Sequence, residues 1–535
     1  MSFKKSLLRY FKKHKMVTLI CLLSIICFTI LTLTPAWILK YFIDEIIYTG
    51  DKHKILLLGL MYMGSYFVMN IFNTMKQVLL VVISQGISRN LREDMLKKVG
   101  KLTYTDFTRF DAGTLEAYFS NDVDAIDTLI TSGVVSLVID LFKIIGILVS
   151  LFIYSILFGS IVVLVLPIVL VFAWIMKQKM LKVQMRNRRL EGNVNNSILE
   201  NLENINTIKS YRVYDSITDR YNDVLKNHFK TAEKTNLYDA MFSPIIQIIK
   251  AALITIIVVL ASYKISLFDG MTIGMIVSGI DLITEIFTPI EKLGDEIQTI
   301  QKSMAGIHRI SEFFTLPEDE DKNLDILDLS NVVLEFKNVS YSYDGKVDVI
   351  KNFNLRLENT MHLTLEGRSG AGKSTIFKLA YGMIKPTAGS VTINGIPTYY
   401  LNDEAKRKVF GIVYQDYFFT NKTIYEEITL NRDFVSEERV YEVLDMCGLS
   451  RIDDINKTLN ITDYSSGELS LFNIARAILL DNKILFLDEM NAKIDIVTAA
   501  SIMNVINRIG KDKMILSINH YGDLIENSSI LHIGE

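Results

Sequence analysis

The segment Gly367–Thr375 combines three glycines, a lysine and three hydroxyl residues at the spacing of a loop that binds phosphates. It follows the strand-like run Leu363–Glu366 and precedes the helix-like run Ile376–Ala380, which is the strand–loop–helix context such a loop requires. Glycines let backbone amides close around phosphate oxygens, and the start of a helix adds a favourable dipole. We expect Lys373 to reach the terminal phosphates of a nucleoside triphosphate and Ser374 to bind Mg²⁺. The candidate nucleotide contacts in this loop are Gly367, Arg368, Ser369, Gly370, Ala371, Gly372, Lys373, Ser374 and Thr375.

A second candidate site is the apolar run Ile484–Leu487, which ends in two adjacent carboxylates, Asp488 and Glu489. Asp488 suits a contact with Mg²⁺, and Glu489 suits a general base that polarises an attacking water molecule. An apolar strand that ends in two acids is common by itself. It becomes informative here because a phosphate-binding loop precedes it in the same chain.

The N-terminal half of the chain predicts helices that span a membrane. A spanning helix takes ~20 mostly apolar residues, and six runs meet that requirement. A minimal turn is expected at Phe158-Gly159, between the third and fourth runs. The polar stretches between runs two and three and between runs four and five predict helices that continue far into the cytoplasm, with turns near Tyr104–Gly113 and Ile208–Tyr211. The six runs are Met16–Leu39, Ile55–Phe72, Gly133–Tyr154, the run from Gly159 to Met176, Met241–Ala261 and Met271–Ile290.

Charge placement predicts the orientation of these spans. Basic residues cluster before the first run and after the fourth, and the positive-inside rule places both clusters in the cytoplasm. An even number of spans then returns the C-terminal half to the cytoplasm, where ATP is. The net charge of −3 excludes nucleic acid as an expected partner, and three cysteines give neither a disulfide framework nor a metal site. The two clusters are Lys4, Lys5, Arg9, Lys12, Lys13 and Lys15, and Lys177, Lys179, Lys182, Arg186, Arg188 and Arg189.

Composition changes at about Pro317, where a charged segment precedes alternating strands. We therefore predict a permease domain at 1–316, a linker at 317–331 and an ATPase domain at 332–535. The expected fold class is an α-helical membrane domain, with six transmembrane helices and long cytoplasmic extensions, followed by an α/β nucleotide-binding domain.

In this order, the motifs resemble those of ATP-binding-cassette (ABC) exporter half-transporters, in which a permease and an ATPase are fused. The resemblance covers nearly the whole chain and implies roles for four further residues. Tyr343 matches the aromatic residue that stacks on adenine, and Gln415 matches the glutamine that senses Mg²⁺ and the permease. Asp495 matches an aspartate at the dimer interface, and His520 matches the switch histidine that contacts the γ-phosphate.

One motif departs from the family pattern. The family signature, which acts on the nucleotide of the opposite subunit, is usually Leu-Ser-Gly-Gly-Gln, whereas this chain has Tyr464-Ser465-Ser466-Gly467-Glu468. Ser466 at the first glycine position would crowd the phosphate if that position needs a positive φ. Glu468 places a negative charge at a helix start, which the helix dipole favours but a nearby triphosphate does not.

The resemblance implies ATP-driven export of an amphiphilic substrate, such as a peptide, a lipid or a drug-like molecule, by alternating access, with ATP and Mg²⁺ as cofactors. It also implies a second half-transporter as partner, either an identical copy or a different chain with an inactive site, in contact with membrane lipid. An ATP-gated regulator or channel, or an importer, would use the same motifs and stays open. We expect a multi-pass protein of a bacterial cell membrane.

Two acids in the sixth run could face the transport path. Asp281 and Glu285 are four residues apart and so share one helix face. Charges within a span usually face a bundle interior or water. They would form ion pairs with Lys143 or Lys250, lie in cytoplasmic water beyond the span, or attract cationic or zwitterionic amphiphiles, including cationic peptides.

Overall fold

The computed structural model describes residues 3–262, 271–326, 328–415, 418–430, 435–488, 496–518, 525 and 527–534. The chain divides into two compact units. The first consists of Met1–Gly100 and Asp111–Leu316, and the second of Lys101–Phe110 and Pro317–Glu535. A ten-residue segment inside the predicted permease therefore packs within the C-terminal unit.

The first unit is helical. Within the described part of the chain, six helical stretches are long and apolar enough to cross a membrane, which confirms the predicted number of spans. Helix α4 alone has 48 residues. At 1.5 Å per residue it is about 72 Å long, more than twice the roughly 30 Å of a bilayer core, so the predicted extensions are present. The helices are α1 Phe3–Lys13, α2 Lys15–Leu31, α3 Thr34–Tyr48, α4 Lys52–Val99, α6 Ala112–Ala117, α7 Val123–Thr128, α8 Val134–Tyr154, α9 Ile156–Glu203, α10 Ile205–Tyr211, α11 Tyr214–Ser262 and α12 Ile273–Thr315; α5, Tyr104–Phe107, belongs to the second unit.

Two details of the spans differ from expectation. The first span is interrupted between α2 and α3, where Pro35 lies in the first turn of α3; proline lacks the amide hydrogen that would continue the preceding helix. The turn predicted at Phe158-Gly159 is wrong, because the chain turns at Ser155. Ser155 has an extended backbone, and its hydroxyl accepts a hydrogen bond from the Phe158 amide at 3.5 Å.

Close packing joins the spanning helices. Phe158 of α9 is fully buried against Gly279 of α12, where an added Cβ atom would lie 2.2 Å from the phenyl ring. The hydroxyls of Tyr154 and Ser278 are 2.9 Å apart and buried. Small residues at helix contacts and buried polar pairs are the usual means by which membrane helices associate.

The described residues of the second unit form two sheets. The antiparallel sheet has the order β2-β1-β4-β5 and the parallel sheet the order β6-β7-β8-β3-β9. The alternation of strands and helices confirms the α/β class. Its strands are β1 Leu334–Tyr341, β2 Ile350–Leu357, β3 His362–Gly367, β4 Ala388–Ile393, β5 Ile396–Pro397, β6 Phe410–Val413, β7 Ile484–Asp488, β8 Met514–Ile518 and β9 Ser528–Ile533; its remaining helices are α13 Lys373–Ala380, α14 Asp403–Val409, α15 Ile424–Thr429, α16 Glu437–Met446, α17 Ser466–Ile478 and α18 Ile496–Ile509.

Two hydrophobic cores support this unit. One lies around the sheets and includes Phe336, Leu365 and Phe486. The other lies around α15, α16 and α17 and includes Phe472 and Ile474. The first core fixes the strands that end at the phosphate-binding loop, and the second fixes the helix that carries the altered signature.

Candidate functional site

The phosphate-binding loop joins β3 to α13. Gly372 immediately precedes α13 with φ +98°, a left-handed conformation that residues with a side chain rarely adopt. At Gly367 an added Cβ atom would lie 2.3 Å from the carbonyl oxygen of Ile533, so only glycine fits. The buried Lys373 donates hydrogen bonds to the carbonyls of Gly367 (2.7 Å) and Arg368 (3.1 Å). Its ammonium group therefore lies over the loop, with the start of α13 beside it.

The predicted adenine-stacking residue, Tyr343, lies beside this loop. Its hydroxyl is 3.2 Å from that of Thr375, and its ring packs edge-on against Tyr341. Lys378, in the last turn of α13, places its ammonium nitrogen 5.9 Å from the Tyr343 ring centre and 5.1 Å from that of Tyr104. Burial lowers the pKa of Lys378, but the two tyrosines outweigh burial and raise it overall. Lys378 therefore stays charged between two aromatic rings.

The turn that contains Tyr104 is held by several contacts of the second unit. The amide of Asp319 donates to the carbonyl of Lys101 at 2.7 Å, and Leu102 forms a β-bridge with Glu318. The hydroxyls of Thr105 and Tyr341 are 3.4 Å apart. Helix α5 thus lies next to the strand that leads to Tyr343.

Oxygen ligands for Mg²⁺ occur at the carboxyl edge of the parallel sheet. Asp488 ends β7 half-buried, and β6 pairs with β7 so that Gln415 follows the neighbouring strand. Burial raises the pKa of Tyr414, the residue next to Gln415, with smaller contributions from Tyr381, Tyr104 and, last, the negative charge of Asp488. The Ser374 hydroxyl, the Asp488 carboxylate and the Gln415 amide are oxygen donors of the kind that suits Mg²⁺. Ligands of parallel α/β sheets bind at this edge, so the donor set fits the ion.

Three predicted site residues, Glu489, Asp495 and His520, lie outside the described residues. Their roles stay predictions from the sequence.

The altered signature forms the start of α17. Ser465 caps the helix: its hydroxyl accepts from the Glu468 amide at 3.3 Å, and Glu468 Oε2 accepts from the Ser465 amide at 2.9 Å. Ser466 is the first residue of the helix and therefore takes an ordinary right-handed backbone. Gly467, which follows it, is buried. The Glu468 carboxylate also forms an ion pair with Arg451. The side chains of Ser465 and Glu468 therefore both have intramolecular partners.

Further positioning residues were missed by the sequence analysis. Asn473 of α17 donates to the carbonyl of Tyr414 at 3.2 Å, which ties the signature helix to the segment of Gln415. Arg476, one turn further on, pairs with the buried Glu427 at 3.1 Å and donates to the carbonyl of Phe418. The sequence signal for these contacts is a row of polar residues spaced three apart along α17, namely Ser470, Asn473 and Arg476.

In the first unit, the structure pairs one of the two predicted cavity acids. Glu285 forms an ion pair with Lys143 of α8, and Asp281, one turn earlier, lies close enough for its charge to act on both. A cavity of about 500 Å³ lies among α2, α4, α8 and α12. Its lining includes Lys143 but neither acid. The charged residues that line it are Lys76, Lys143, Lys292, Asp140, Asp295 and Glu296.

Comparisons with known proteins agree with this architecture. Residues 17–290 match the family described as ABC transporter transmembrane region, and residues 350–492 match the family described as ABC transporter. The uncharacterized ABC transporter ATP-binding protein YknV of Bacillus subtilis is 25% identical over 96% of this chain and 87% of its own length. The lactococcin-G-processing and transport ATP-binding protein LagD of Lactococcus lactis is 25% identical over 92% of this chain and 71% of its own. The ATP-dependent lipid A-core flippase of Syntrophus aciditrophicus is 23% identical over 98% of this chain and 88% of its own length.

The two matched regions cover the spanning helices and the nucleotide-binding sheet in one polypeptide. The chain therefore belongs to the ABC transporter family, as a multi-pass membrane protein that binds ATP and couples its hydrolysis to transmembrane transport.

Proposed function

We propose that this chain is one half of an exporter that moves an amphiphilic substrate out across the cytoplasmic membrane by alternating access. The observation that carries the proposal is the phosphate-binding loop of β3 and α13 in the same chain as six spanning helices. Relatives named for transport of lactococcin G and for flipping of lipid A-core support an amphiphilic substrate. The basic clusters around the first and fourth spans support a cytoplasmic N-terminus and ATPase domain.

In this proposal, Tyr343 leaves Thr375 to stack on adenine, and Lys373 exchanges the loop carbonyls for the terminal phosphates. Both movements are short because each side chain already lies over the loop. Glu489 polarises the attacking water, and His520 contacts the γ-phosphate.

Ser374, Asp488 and Gln415 would hold Mg²⁺. The ion would neutralise charge on the phosphates that Ser374 and Lys373 approach.

The second half of the site comes from a partner chain. Each ATP is bound by the loop of one chain and by Ser465–Glu468 of the other, and Asp495 lies at the interface between them. Closure of this sandwich tilts the permease halves, and hydrolysis resets them. The turns at 101–110 and at α10 transmit the motion. Support for the first turn comes from its packing within the ATPase unit.

Inside-out membrane vesicles test the direction and the coupling. An exporter accumulates substrate inside such vesicles only with ATP, and Glu489→Gln abolishes the accumulation. An ATP-gated channel would instead let a preformed gradient dissipate in either direction. An importer would deplete loaded inside-out vesicles.

The substrate class follows from charge. The ion pair of Glu285 with Lys143 is neutral, and Asp281, one turn earlier, adds one further acid whose charged form a cationic head group would stabilise. Since Lys143 is already paired with Glu285, the 500 Å³ cavity has two other lysines, Lys76 and Lys292, against three acids. These charges favour an amphiphile with a cationic or zwitterionic head group, including a cationic peptide.

Two sets of substitutions separate the additional acid from the ion pair. Asp281→Asn removes the additional acid and leaves the Lys143–Glu285 pair. Lys143→Gln combined with Glu285→Gln removes that pair and leaves Asp281. Transport of matched cationic and neutral amphiphiles is then compared in vesicles. We expect Asp281→Asn to lower only cationic transport. Equal losses for both amphiphiles would contradict the proposal, and the double variant controls for packing.

A further inference from the structure

We propose that Arg451 is a positioning residue of the ATP site: it neutralises Glu468 and so allows an acidic signature to approach the triphosphate of the opposite subunit. The proposal rests on the ATP sandwich described under the proposed function. No motif in the sequence singles out Arg451, which precedes Glu468 by 17 residues.

The Glu468 carboxylate is engaged on both oxygens. Oε1 is paired with the Arg451 guanidinium, and Oε2 accepts hydrogen bonds from the Ser465 amide at 2.9 Å and the Ser465 hydroxyl at 3.0 Å. The Glu468 side chain is 22% exposed and that of Arg451 is 64% exposed. The carboxylate is therefore folded back across the start of α17, with the guanidinium on its outer side.

The turn that presents Arg451 is fixed by its neighbours. Leu449 is buried, and its amide donates to the carbonyl of Leu444 in α16 at 2.8 Å. Ile452 packs against the helical core, and its amide donates to the carbonyl of Leu449 at 3.1 Å. Arg451 lies between two anchored residues, so its backbone has little freedom while its side chain reaches the signature.

Electrostatics gives the pair a function beyond capping. The family signature ends in a neutral amide, and Glu468 replaces that amide with a carboxylate. A triphosphate carries several negative charges, and repulsion between like charges falls off only inversely with distance. An unpaired Glu468 would oppose closure of the sandwich, whereas the Arg451–Glu468 pair is neutral and leaves guanidinium hydrogens available towards phosphate.

A purely structural pair makes a different prediction. If Arg451 only stabilises the start of α17, its loss changes the KM for ATP by the same factor whether residue 468 is Glu or Gln. If Arg451 neutralises Glu468, its loss is harmful only while Glu468 is charged. A double-mutant comparison distinguishes these cases.

The experiment measures ATP hydrolysis against ATP concentration for the full-length chain in lipid nanodiscs. The variants are Arg451→Gln, Glu468→Gln, their combination and Arg451→Lys. Arg356→Gln serves as a control, because Arg356 of β2 pairs with Glu335 of β1 and with Glu358, the residue that follows β2. We expect Arg451→Gln to raise the KM for ATP about fivefold, the scale of an exposed ion pair. The rise should shrink as salt is added, because salt screens exposed charges.

The double variant should return to within about twofold of Glu468→Gln, and Arg451→Lys should retain most of the affinity because it keeps the charge. If Arg451→Gln raises the KM equally in the chain with Glu468 and in the Glu468→Gln variant, or does not raise it in an active preparation, the role of Arg451 is overturned and the proposed function is not. A wild-type chain that hydrolyses no ATP overturns the assumed sandwich of two identical chains and, with it, this proposal. Thermal unfolding of each variant separates these outcomes from loss of the fold.

Discussion

In the proposed function, Lys373 and Glu489 act on the same phosphates at different stages. Lys373 is described at the start of α13, where its ammonium group can exchange carbonyl partners for phosphate oxygens. Glu489 directly follows Asp488 at the end of β7. A phosphate ligand contributes to binding of ATP, whereas a general base contributes only when water attacks.

The two corresponding variants should therefore fail in different assays. Glu489→Gln is expected to bind ATP normally and to lower turnover by ~10²-fold or more, as for a lost general base. Lys373→Ala is expected to weaken nucleotide binding itself. Binding of a fluorescent ATP analogue and release of phosphate measure the two effects. Near-normal hydrolysis by Glu489→Gln would remove that residue from the catalytic role.

Single-residue prediction was possible where a motif is contiguous. The loop from Gly367 to Thr375 was readable because its chemistry requires nine adjacent residues. Arg451 and Lys378 were not readable, because their partners Glu468 and Tyr104 are brought to them by folding alone. A charged residue on an exposed turn carries no local sign of the contact it makes.

At the scale of elements, α13 links the phosphate-binding loop to α5. Lys373 lies in its first turn and Lys378 in its last, where the ammonium group contacts the rings of Tyr104 and Tyr343. A cation beside two aromatic faces is worth ~1 kcal/mol at each contact. Movement of Tyr343 onto adenine would change its contact with Lys378. Because Lys378 also contacts Tyr104, the change would reach α5.

This link predicts a coupling defect. Lys378→Met should lower the amount of substrate transported per ATP hydrolysed about threefold or more, since it removes contacts of roughly this energy. Lys378→Arg should retain coupling because a guanidinium also packs on aromatic rings. Vesicle uptake and phosphate release are measured in the same preparation. An unchanged ratio in Lys378→Met would show that α5 does not depend on this residue.

Helix packing in the first unit makes a stability prediction. Gly279→Ala should lower the free energy of unfolding by ~1–3 kcal/mol, because the new methyl group overlaps the fully buried ring of Phe158. Gly192→Ala in α9 is the matched control. Its added Cβ atom meets nothing within 4 Å, so it should stabilise the helix by up to ~1 kcal/mol. Thermal unfolding in detergent should therefore shift in opposite directions, and equal shifts would contradict the packing argument.

Elements were predictable as far as hydropathy decides them. The lengths of the apolar runs predicted six spans, but they do not show where the backbone hydrogen bonds of a helix end. The interruption before Pro35 and the turn at Ser155 depend on a missing amide and on a capping hydroxyl. The packing of Lys101–Phe110 with the ATPase unit depends on tertiary contacts, which no periodicity reports.

For the whole molecule, the central question is whether two copies of this chain suffice. A degraded signature in a chain that keeps Glu489 and His520 is typical of one half of an asymmetric heterodimer. Two features of the structure favour competence of the signature itself. Ser466 adopts ordinary helical backbone without strain, and Glu468 is neutralised by Arg451.

We therefore predict that the purified chain alone hydrolyses ATP in lipid, with activity that depends on the approach of two identical chains. Dilution into a large excess of empty nanodiscs at one chain per disc should abolish hydrolysis, because each disc then lacks the signature of the opposite subunit. Discs that hold two chains should retain it, and mixing wild type with Glu489→Gln chains should give mixed dimers with reduced turnover. Lys408→Ala is a suitable surface control, since it removes only an exposed pair with Glu404 on α14. If two-chain discs are inactive while the chain binds ATP, and activity appears only with a second, different half-transporter, the altered signature serves a heterodimer instead.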